Sequence, residues 1–237
     1  MSRGAEPAHR YPPPGMLGPR AIAWWSLRTM AASVDVVGAE HVPPSGPVLL
    51  AARHYHHRLD AAVLIDSIPR PVHIVVGLDW IAGARLRRWM ERACAAARWP
   101  VVLRPATTGA SGAYVAGDVG RYLRSGLRDA AALLRDGRVL AVFPEGYPVV
   151  DRGGAAAVPG AGTPPRDAGG FLPFASGFRT IIGLARRAGS PPIAVVPVGF
   201  HYEPRGRRWH VTARFGPPLA DDVEVAAVES AVRELSR

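Results

Sequence analysis

The chain has 237 residues, of which 48% are hydrophobic, a length and composition that suit one large globular domain. Its 29 basic residues, all arginine, outnumber its 19 acidic residues, which gives a net charge of +10. Residues 221–237 hold five acids and two arginines, so residues 1–220 carry a charge of +13. This part of the chain therefore favours anionic partners. The single Cys94 excludes an internal disulfide and a cysteine-built zinc site, and scattered arginines without an aromatic-basic motif argue against nucleic acid.

The N-terminal part of the chain changes character near residue 17. Residues 1–16 are rich in proline and are predicted to be disordered, which leaves 17–237 as the domain. Segment 17–34 is helical by composition and carries Trp24 and Trp25 beside arginines, so it either packs on the core or lies on lipid headgroups. No apolar run reaches the roughly 18 residues of a membrane span, and no signal peptide is recognisable, which predicts a cytoplasmic protein peripheral on the inner face of the membrane.

Short apolar runs then alternate with segments of helical periodicity. Continuous Val, Ile and Leu runs are typical of strands buried on both faces. The alternation predicts the α/β class, a single-domain sandwich with a largely parallel central sheet flanked by helices. Glycine-rich stretches interrupt it at 107–117 and 149–170, and the longer one is typical of a lid, a binding loop or disorder. The predicted strands are 47–52, 72–77, 100–103, 138–144, 192–200 and 209–215, and the predicted helices are 80–99, 119–134 and 178–185.

The stretch RHYHHRLD, residues 53–60, directly follows a predicted strand, where reactive groups of α/β sheets gather. A histidine beside Asp60 can act as a general base, because the carboxylate orients the ring and stabilises the imidazolium that forms. The alternative is that His54, His56 and His57 are ordinary surface or packing residues and Asp60 caps the next helix. A metal site is less favoured, since ligands this close in sequence crowd one another and no distant motif completes a coordination shell.

A second stretch, FPEG, ends the predicted strand at 138–144. Glu145 at this point can bind a ligand hydroxyl, and Gly146 allows a close backbone approach. Without further context Glu145 is as well explained as a helix cap or an ion-pair partner.

Four stretches together resemble the glycerol-phosphate and lysophosphatidic acid acyltransferase family. In chain order they are VLLAARHYHHRLD, VVLRP with Arg104, VFPEGYP, and AVVPVGF with Pro197. FLPFASGF is also similar to the family's segment between the third and fourth motifs. The resemblance extends from Pro47 to Phe200 in the family's order.

The resemblance implies an O-acyltransferase that moves a fatty acyl group from acyl-CoA or acyl carrier protein to a hydroxyl of a lysophospholipid-type acceptor. His54, paired with Asp60, would deprotonate that hydroxyl. Arg104 would hold a phosphate or another anionic group, while Glu145 and Gly146 would shape the acceptor site. No cofactor and no metal are implied, and an anionic membrane surface is expected as a partner. A catalytically silent lipid-binding module and a metal-assisted hydrolase are the alternatives.

The motifs depart from the family pattern in two ways that bear on function. Five residues, not four, separate His54 from Asp60, so His56 is a rival base, although the register of the preceding strand favours His54. Tyr147 and Pro148 replace the Thr and Arg that follow Glu-Gly in the family. An arginine that grips phosphate is thereby lost, which predicts an acceptor choice less dependent on phosphate.

Overall fold

A computed structural model describes residues 18–104, 113–150 and 165–237 of the chain. The predicted disorder of 1–16 and most of the two glycine-rich stretches lie outside these residues. The helices are α1 (Pro19–Met30), α2 (Leu59–Ser67), α3 (Ala84–Ala97), α4 (Ala116–Arg135), α5 (Gly177–Arg187) and α6 (Val225–Leu235), with a short 3-10 turn at Ala39–His41. The strands are β1 (Ala31–Val37), β2 (Val48–Ala52), β3 (Val72–Ile74), β4 (Val76–Gly77), β5 (Val101–Val102), β6 (Val139–Val142), β7 (Ala194–Arg205) and β8 (Arg208–Phe215).

Six of these strands form one sheet in the order β1-β8-β7-β2-β6-β3. Every neighbouring pair is parallel except β7 and β8, which form an antiparallel hairpin. Strand β2 lies between β7 and β6, and all five of its residues are buried, as its unbroken apolar sequence predicts. The α/β class and the largely parallel sheet flanked by helices are therefore confirmed.

Alternate residues of β2 face the two halves of the core. Val48, Leu50 and Ala52 pack in a cluster that also contains buried residues of α1 and α2. Leu49 and Ala51 pack in a second cluster with α4, α5 and α6. Because successive strand residues point to opposite faces, the helices cover both sides of the sheet and form a three-layer sandwich.

Three elements differ from the sequence predictions. The first helix ends at Met30, and the residues after it form the edge strand β1, whose mostly exposed side chains give no strand-like burial pattern. Segment 72–77 divides after Ile74, so that β4 leaves the main sheet and pairs with β5 in a separate two-stranded sheet. Helix α6 was not predicted, although its buried residues Val228 and Val232 follow helical spacing.

None of the helices in the described residues is both long and apolar enough to cross a membrane. Helix α1 packs chiefly against α2 through a face that includes the buried Ala23 and Ser26. Its outer face leaves Trp25 45% exposed. The packing interpretation of this helix is therefore correct, and its exposed side is still able to contact another surface.

Candidate active site

The pair His54 and Asp60 lies where β2 ends and α2 begins. The backbone N–H of Arg53 still bonds to Val198 on the neighbouring strand, so His54 is the first residue released from the sheet. Helix α2 starts at Leu59, which places Asp60 in its first turn. There His54 Nδ1 lies 3.0 Å from Asp60 Oδ2. The extra residue of this motif is taken up in the intervening loop, and the imidazole and carboxylate still meet.

Asp60 is fully buried, and three donors hold its carboxylate. The backbone N–H of His56 donates to Oδ2 at 2.9 Å, beside the His54 ring, and the hydroxyl of Tyr202 donates to Oδ1. Burial, followed by the adjacent Asp60 charge, raises the pKa of Tyr202 well above its ordinary value, so the phenol stays a donor. The position in the first turn of α2 also favours the negative charge, because the helix dipole is positive there.

The imidazole of His54 is fixed by a second contact on its face. Its ring stacks on Phe143 with centroids 4.4 Å apart, and the side chain keeps 16% of its surface exposed. Nδ1 is engaged by Asp60, while Nε2 has no hydrogen-bond partner among the described residues. A histidine oriented in this way by a carboxylate can accept a proton at Nε2.

His56 has a different role, because its ring turns towards the start of α2. Nδ1 accepts hydrogen bonds from the backbone N–H groups of Arg58 and Leu59, at 3.3 and 3.4 Å. Burial lowers the pKa of His56 to about 4, which keeps this nitrogen unprotonated. His56 thus caps the helix, and His57 stacks on it at 4.8 Å. Within the residues described, no group of His, Cys, Asp and Glu side chains is arranged to hold a metal ion.

Glu145 follows β6 and faces the backbone of the active-site loops. Oε1 accepts from the N–H of His54 at 2.9 Å, and Oε2 accepts from the N–H of Leu172 at 3.0 Å. Arg166 lies 3.5 Å from the same carboxylate. Burial raises the pKa of Glu145. Both carboxylate oxygens are therefore occupied by groups of the protein, and the direct effect of this side chain is to position the backbone of His54.

Gly146 has a φ of 75°, the left-handed conformation that glycine adopts without strain. Apart from its chain neighbours, no atom of the described residues lies within 4 Å of the point where a Cβ would sit, so the positive φ of the turn is what favours glycine here. Its carbonyl oxygen accepts from Arg104 Nη1. The third motif is thereby joined to the second.

Arg104, the arginine of the second motif, is held by an acid that the sequence analysis did not single out. Asp79 is fully buried, and its carboxylate accepts from Nε at 3.0 Å and from Nη2 at 2.7 Å. The guanidinium also lies 4.0 Å from the ring centre of Tyr147, in the place where the family has a small hydroxyl residue. The charge of Arg104 is therefore largely balanced inside the protein, although 23% of its side chain is exposed.

The structure thus brings the predicted residues together and adds others. Arg53, 94% buried, donates to the carbonyl of Gly169 at 2.8 Å and stacks on Phe171 at 3.9 Å. Arg166 donates to the carbonyls of Tyr147 and Pro148. No local sequence signal identifies these contacts, because each joins residues far apart in the chain.

A family model described as Acyltransferase matches residues 33–201, a range that contains His54, Asp60 and Glu145. The chain belongs to the acyltransferase family. It is an acyltransferase enzyme, and the resemblance of its four motifs is confirmed. Among curated proteins no match is found.

Among the solved structures that share this fold is an acyltransferase. It is the 1-acyl-sn-glycerophosphate (LPA) acyltransferase PlsC from Thermotoga maritima, with a TM-score of 0.55 and 17% sequence identity. The match covers 90% of this chain and 74% of that one. At this identity the likeness concerns the fold.

Proposed function

We propose that this enzyme transfers a fatty acyl group from the thioester of acyl-CoA or acyl carrier protein to a hydroxyl of a lysophospholipid-type acceptor, with His54 as the general base. The observation that carries the proposal is the contact of His54 Nδ1 with the buried Asp60, which leaves Nε2 for a substrate. We also propose that it works at the inner face of the membrane, where a lipid acceptor resides.

The chemistry needs one proton carrier and no covalent enzyme intermediate. Nε2 of His54 takes the acceptor's hydroxyl proton as the oxygen attacks the thioester carbonyl. The carbon–oxygen bond forms, the carbon–sulfur bond breaks, and the thiolate leaves and receives the proton. Asp60 stabilises the imidazolium in between. A positioned base of this kind contributes about 10² to 10⁴ in rate.

Arg104 and Gly146 are proposed to form the acceptor side of the site, and Glu145 is proposed to shape it indirectly by positioning the backbone of His54. Because Asp79 already neutralises Arg104, we expect it to orient the acceptor's polar group through hydrogen bonds more than through net charge. Tyr147 adds a ring where relatives have a small residue. The acceptor is therefore proposed to be one for which a terminal phosphate is not essential.

The assignment of the base is tested with His54→Ala, His56→Ala and Asp60→Asn. Purified variants are incubated with acyl-CoA or acylated carrier protein and a panel of lyso-lipids, and thioester loss is followed with and without chelator. We expect at least about 10²-fold loss for His54 and Asp60 and a smaller loss for His56, with folded proteins by circular dichroism. An active His54→Ala enzyme contradicts the assignment.

The same assay separates the proposal from its alternatives. Thioester loss that requires an acceptor supports acyl transfer. Thioester loss at the same rate with and without an acceptor contradicts transfer to a lipid hydroxyl.

Acceptor choice is tested by comparing Arg104→Gln with Asp79→Asn. Removal of the Asp79 charge unmasks the arginine, so Asp79→Asn is expected to raise kcat/KM for a phosphate-bearing acceptor relative to a neutral one. Arg104→Gln is expected to lower kcat/KM for both acceptors alike. If the unmodified enzyme strongly prefers lysophosphatidic acid, and neither substitution changes that preference, the neutralised-arginine argument is wrong.

A further inference from the structure

Helix α3 is the least buried helix of the fold. Cys94 is its only buried residue, and it packs with Met90 against the small cluster beside β4 and β5. Glu91 faces the same way, since Tyr114 and Tyr122 both donate to its carboxylate. One side of α3 is therefore attached to the domain, and the opposite side is open to solvent.

The open side carries a tryptophan at its centre. Trp89 is 63% exposed, and Leu86 beside it is 39% exposed. Counting 100° per residue, Arg85 and Arg92 lie within about 60° of Trp89, one turn before and one turn after it. Arg88 borders the same face on the other side from Leu86. This set of five residues is called the α3 face below.

The arginines of the α3 face have no partners among the residues that the structure describes. Arg85, Arg88 and Arg92 are exposed, and none of them forms an ion pair or side-chain hydrogen bond within the described part of the chain. Arg87 shows the contrast, because it turns inward to Glu91 and to the carbonyl of Ala113. Three positive charges without a partner in the described residues thus lie along one side of an exposed indole.

We propose that the α3 face docks the enzyme on an anionic lipid bilayer. Tryptophan and arginine are the side chains that headgroup regions favour, because an indole spans the polar boundary and arginine pairs with phosphate. The inference rests on the proposed function, which supplies a lipid acceptor. A nucleic acid is less suited, since one helix with three arginines lacks the extended basic track that a phosphate backbone requires.

The place of α3 in the chain connects docking to the active site. The helix is inserted between Asp79 and Arg104, the buried ion pair at the acceptor side. The helix proposed to dock therefore belongs to the segment whose two ends form this ion pair. Helix α1 is less suited to this role, because its two arginines already have contacts within the protein: Arg20 donates to the carbonyls of Ile68 and Pro69, and Arg28 lies over the Trp24 ring.

The test measures co-flotation of the full chain with vesicles of phosphatidylglycerol and phosphatidylcholine that contain no acyl donor. Substitution of Arg85, Arg88 and Arg92 by Gln is expected to lower the partition coefficient on the order of a hundredfold at low salt, and high salt should weaken binding of the unmodified protein. Trp89→Ala is expected to lower binding at every salt concentration. All four positions are exposed, so folding is expected to persist by circular dichroism.

The matched control removes the same charge elsewhere. Arg124, Arg187 and Arg207 are exposed arginines on other elements, and their replacement by Gln is expected to leave binding within about threefold of the unmodified protein. The proposal is overturned if both triple variants lose vesicle binding equally, or if the α3 variants bind vesicles as well as the unmodified protein. It is also overturned if only Trp25→Ala lowers vesicle binding, or if the protein binds neutral vesicles or RNA as well as anionic vesicles. Because no turnover is measured, failure of the acyl-transfer proposal is distinguishable from failure of docking.

Discussion

Three hydrogen bonds converge on Asp60, two from the loop at residues 54–56 and one from Tyr202 in β7, and they decide which histidine it orients. The His54 ring and the His56 backbone share Oδ2, and the Tyr202 hydroxyl takes Oδ1. With the carboxylate held on both sides, the imidazole of His54 has one orientation against Phe143. We expect Tyr202 to be a positioning residue, because it is buried and its hydroxyl holds the Asp60 carboxylate.

Tyr202→Phe is expected to lower kcat about tenfold or more while KM for both substrates stays nearly constant, because a hydrogen bond to a charged group contributes about 1.5–3 kcal/mol to holding the carboxylate. Steady-state kinetics measure kcat and KM separately. Tyr55→Phe is the control, since the Tyr55 ring stacks on Tyr202 at 4.5 Å but its hydroxyl bonds to no described residue. Equal kinetic effects in the two variants would remove Tyr202 from the positioning role.

His56 makes the stability of the fold depend on pH. Its pKa is about 4 in the folded protein and 6.5 in the unfolded chain, so between these values the unfolded state binds more protons. Stability is therefore complete above pH 6.5 and is lost as the pH falls towards 4, by about 2–3 kcal/mol. Urea unfolding across this range measures the slope. His56→Asn keeps a capping oxygen without the titration, and an unchanged slope in that variant contradicts the assignment.

At the scale of elements, the small β4–β5 sheet depends on a close approach to α4. A Cβ on Gly126 of α4 would lie 2.4 Å from the carbonyl oxygen of Val101 in β5. Glycine at this position allows the strand to reach the helix, and β5 leads directly to Arg104. The second motif is therefore placed by helix packing and not by the main sheet.

Gly126→Ala is expected to lower both the free energy of unfolding and the activity, although alanine favours a helix by about 1 kcal/mol over glycine. Gly120→Ala in the same helix is the control. There the nearest atom to an added Cβ is the movable tip of Arg124, at 3.1 Å, so we expect stabilisation of up to about 1 kcal/mol and unchanged activity. Urea unfolding of both variants measures the difference. If both substitutions stabilise the protein, the close approach of α4 to β5 does not require glycine.

On the scale of the whole molecule, Glu145 joins loops that are distant in sequence. Its carboxylate accepts from the backbone at His54, more than 90 residues before it, and at Leu172 beyond the second glycine-rich stretch. Arg166 completes the contact by bonding to the carboxylate and to the carbonyl of Gly170. One buried acid thus fixes the loop after β2, the loop after β6 and the approach to α5 together.

Glu145→Gln is expected to destabilise the protein by about 2–4 kcal/mol and to lower activity. The amide NH₂ of glutamine would face one of the two backbone N–H groups that the carboxylate now accepts from, and Arg166 would lose its anionic partner. Urea unfolding and turnover measure both effects. Glu203→Gln is the control: this exposed residue pairs with Arg205 at the surface, and its loss is expected to cost less than about 1 kcal/mol. Similar destabilisation in both variants would refute a bridging role for Glu145.

The sequence by itself determined the family, the α/β class and most strands and helices of the described chain. These follow from short-range information: runs of Val, Ile and Leu, helical spacing, and motifs in a set order. It did not predict β1, because this edge strand is mostly exposed and has no alternating burial pattern. It also did not predict the division between β3 and β4, because both strands belong to one apolar run. Local periodicity does not report which sheet a strand joins.

Only the tertiary structure decided which groups meet in the site. It paired Asp60 with the ring of His54 and turned His56 to cap α2, whereas sequence spacing left both histidines open. It also joined Asp79 to Arg104 and Tyr202 to Asp60, across 25 and 142 residues. Such contacts depend on how strands and loops are brought together in space, and buried charges find their partners there because an unpaired charge in the interior is too costly.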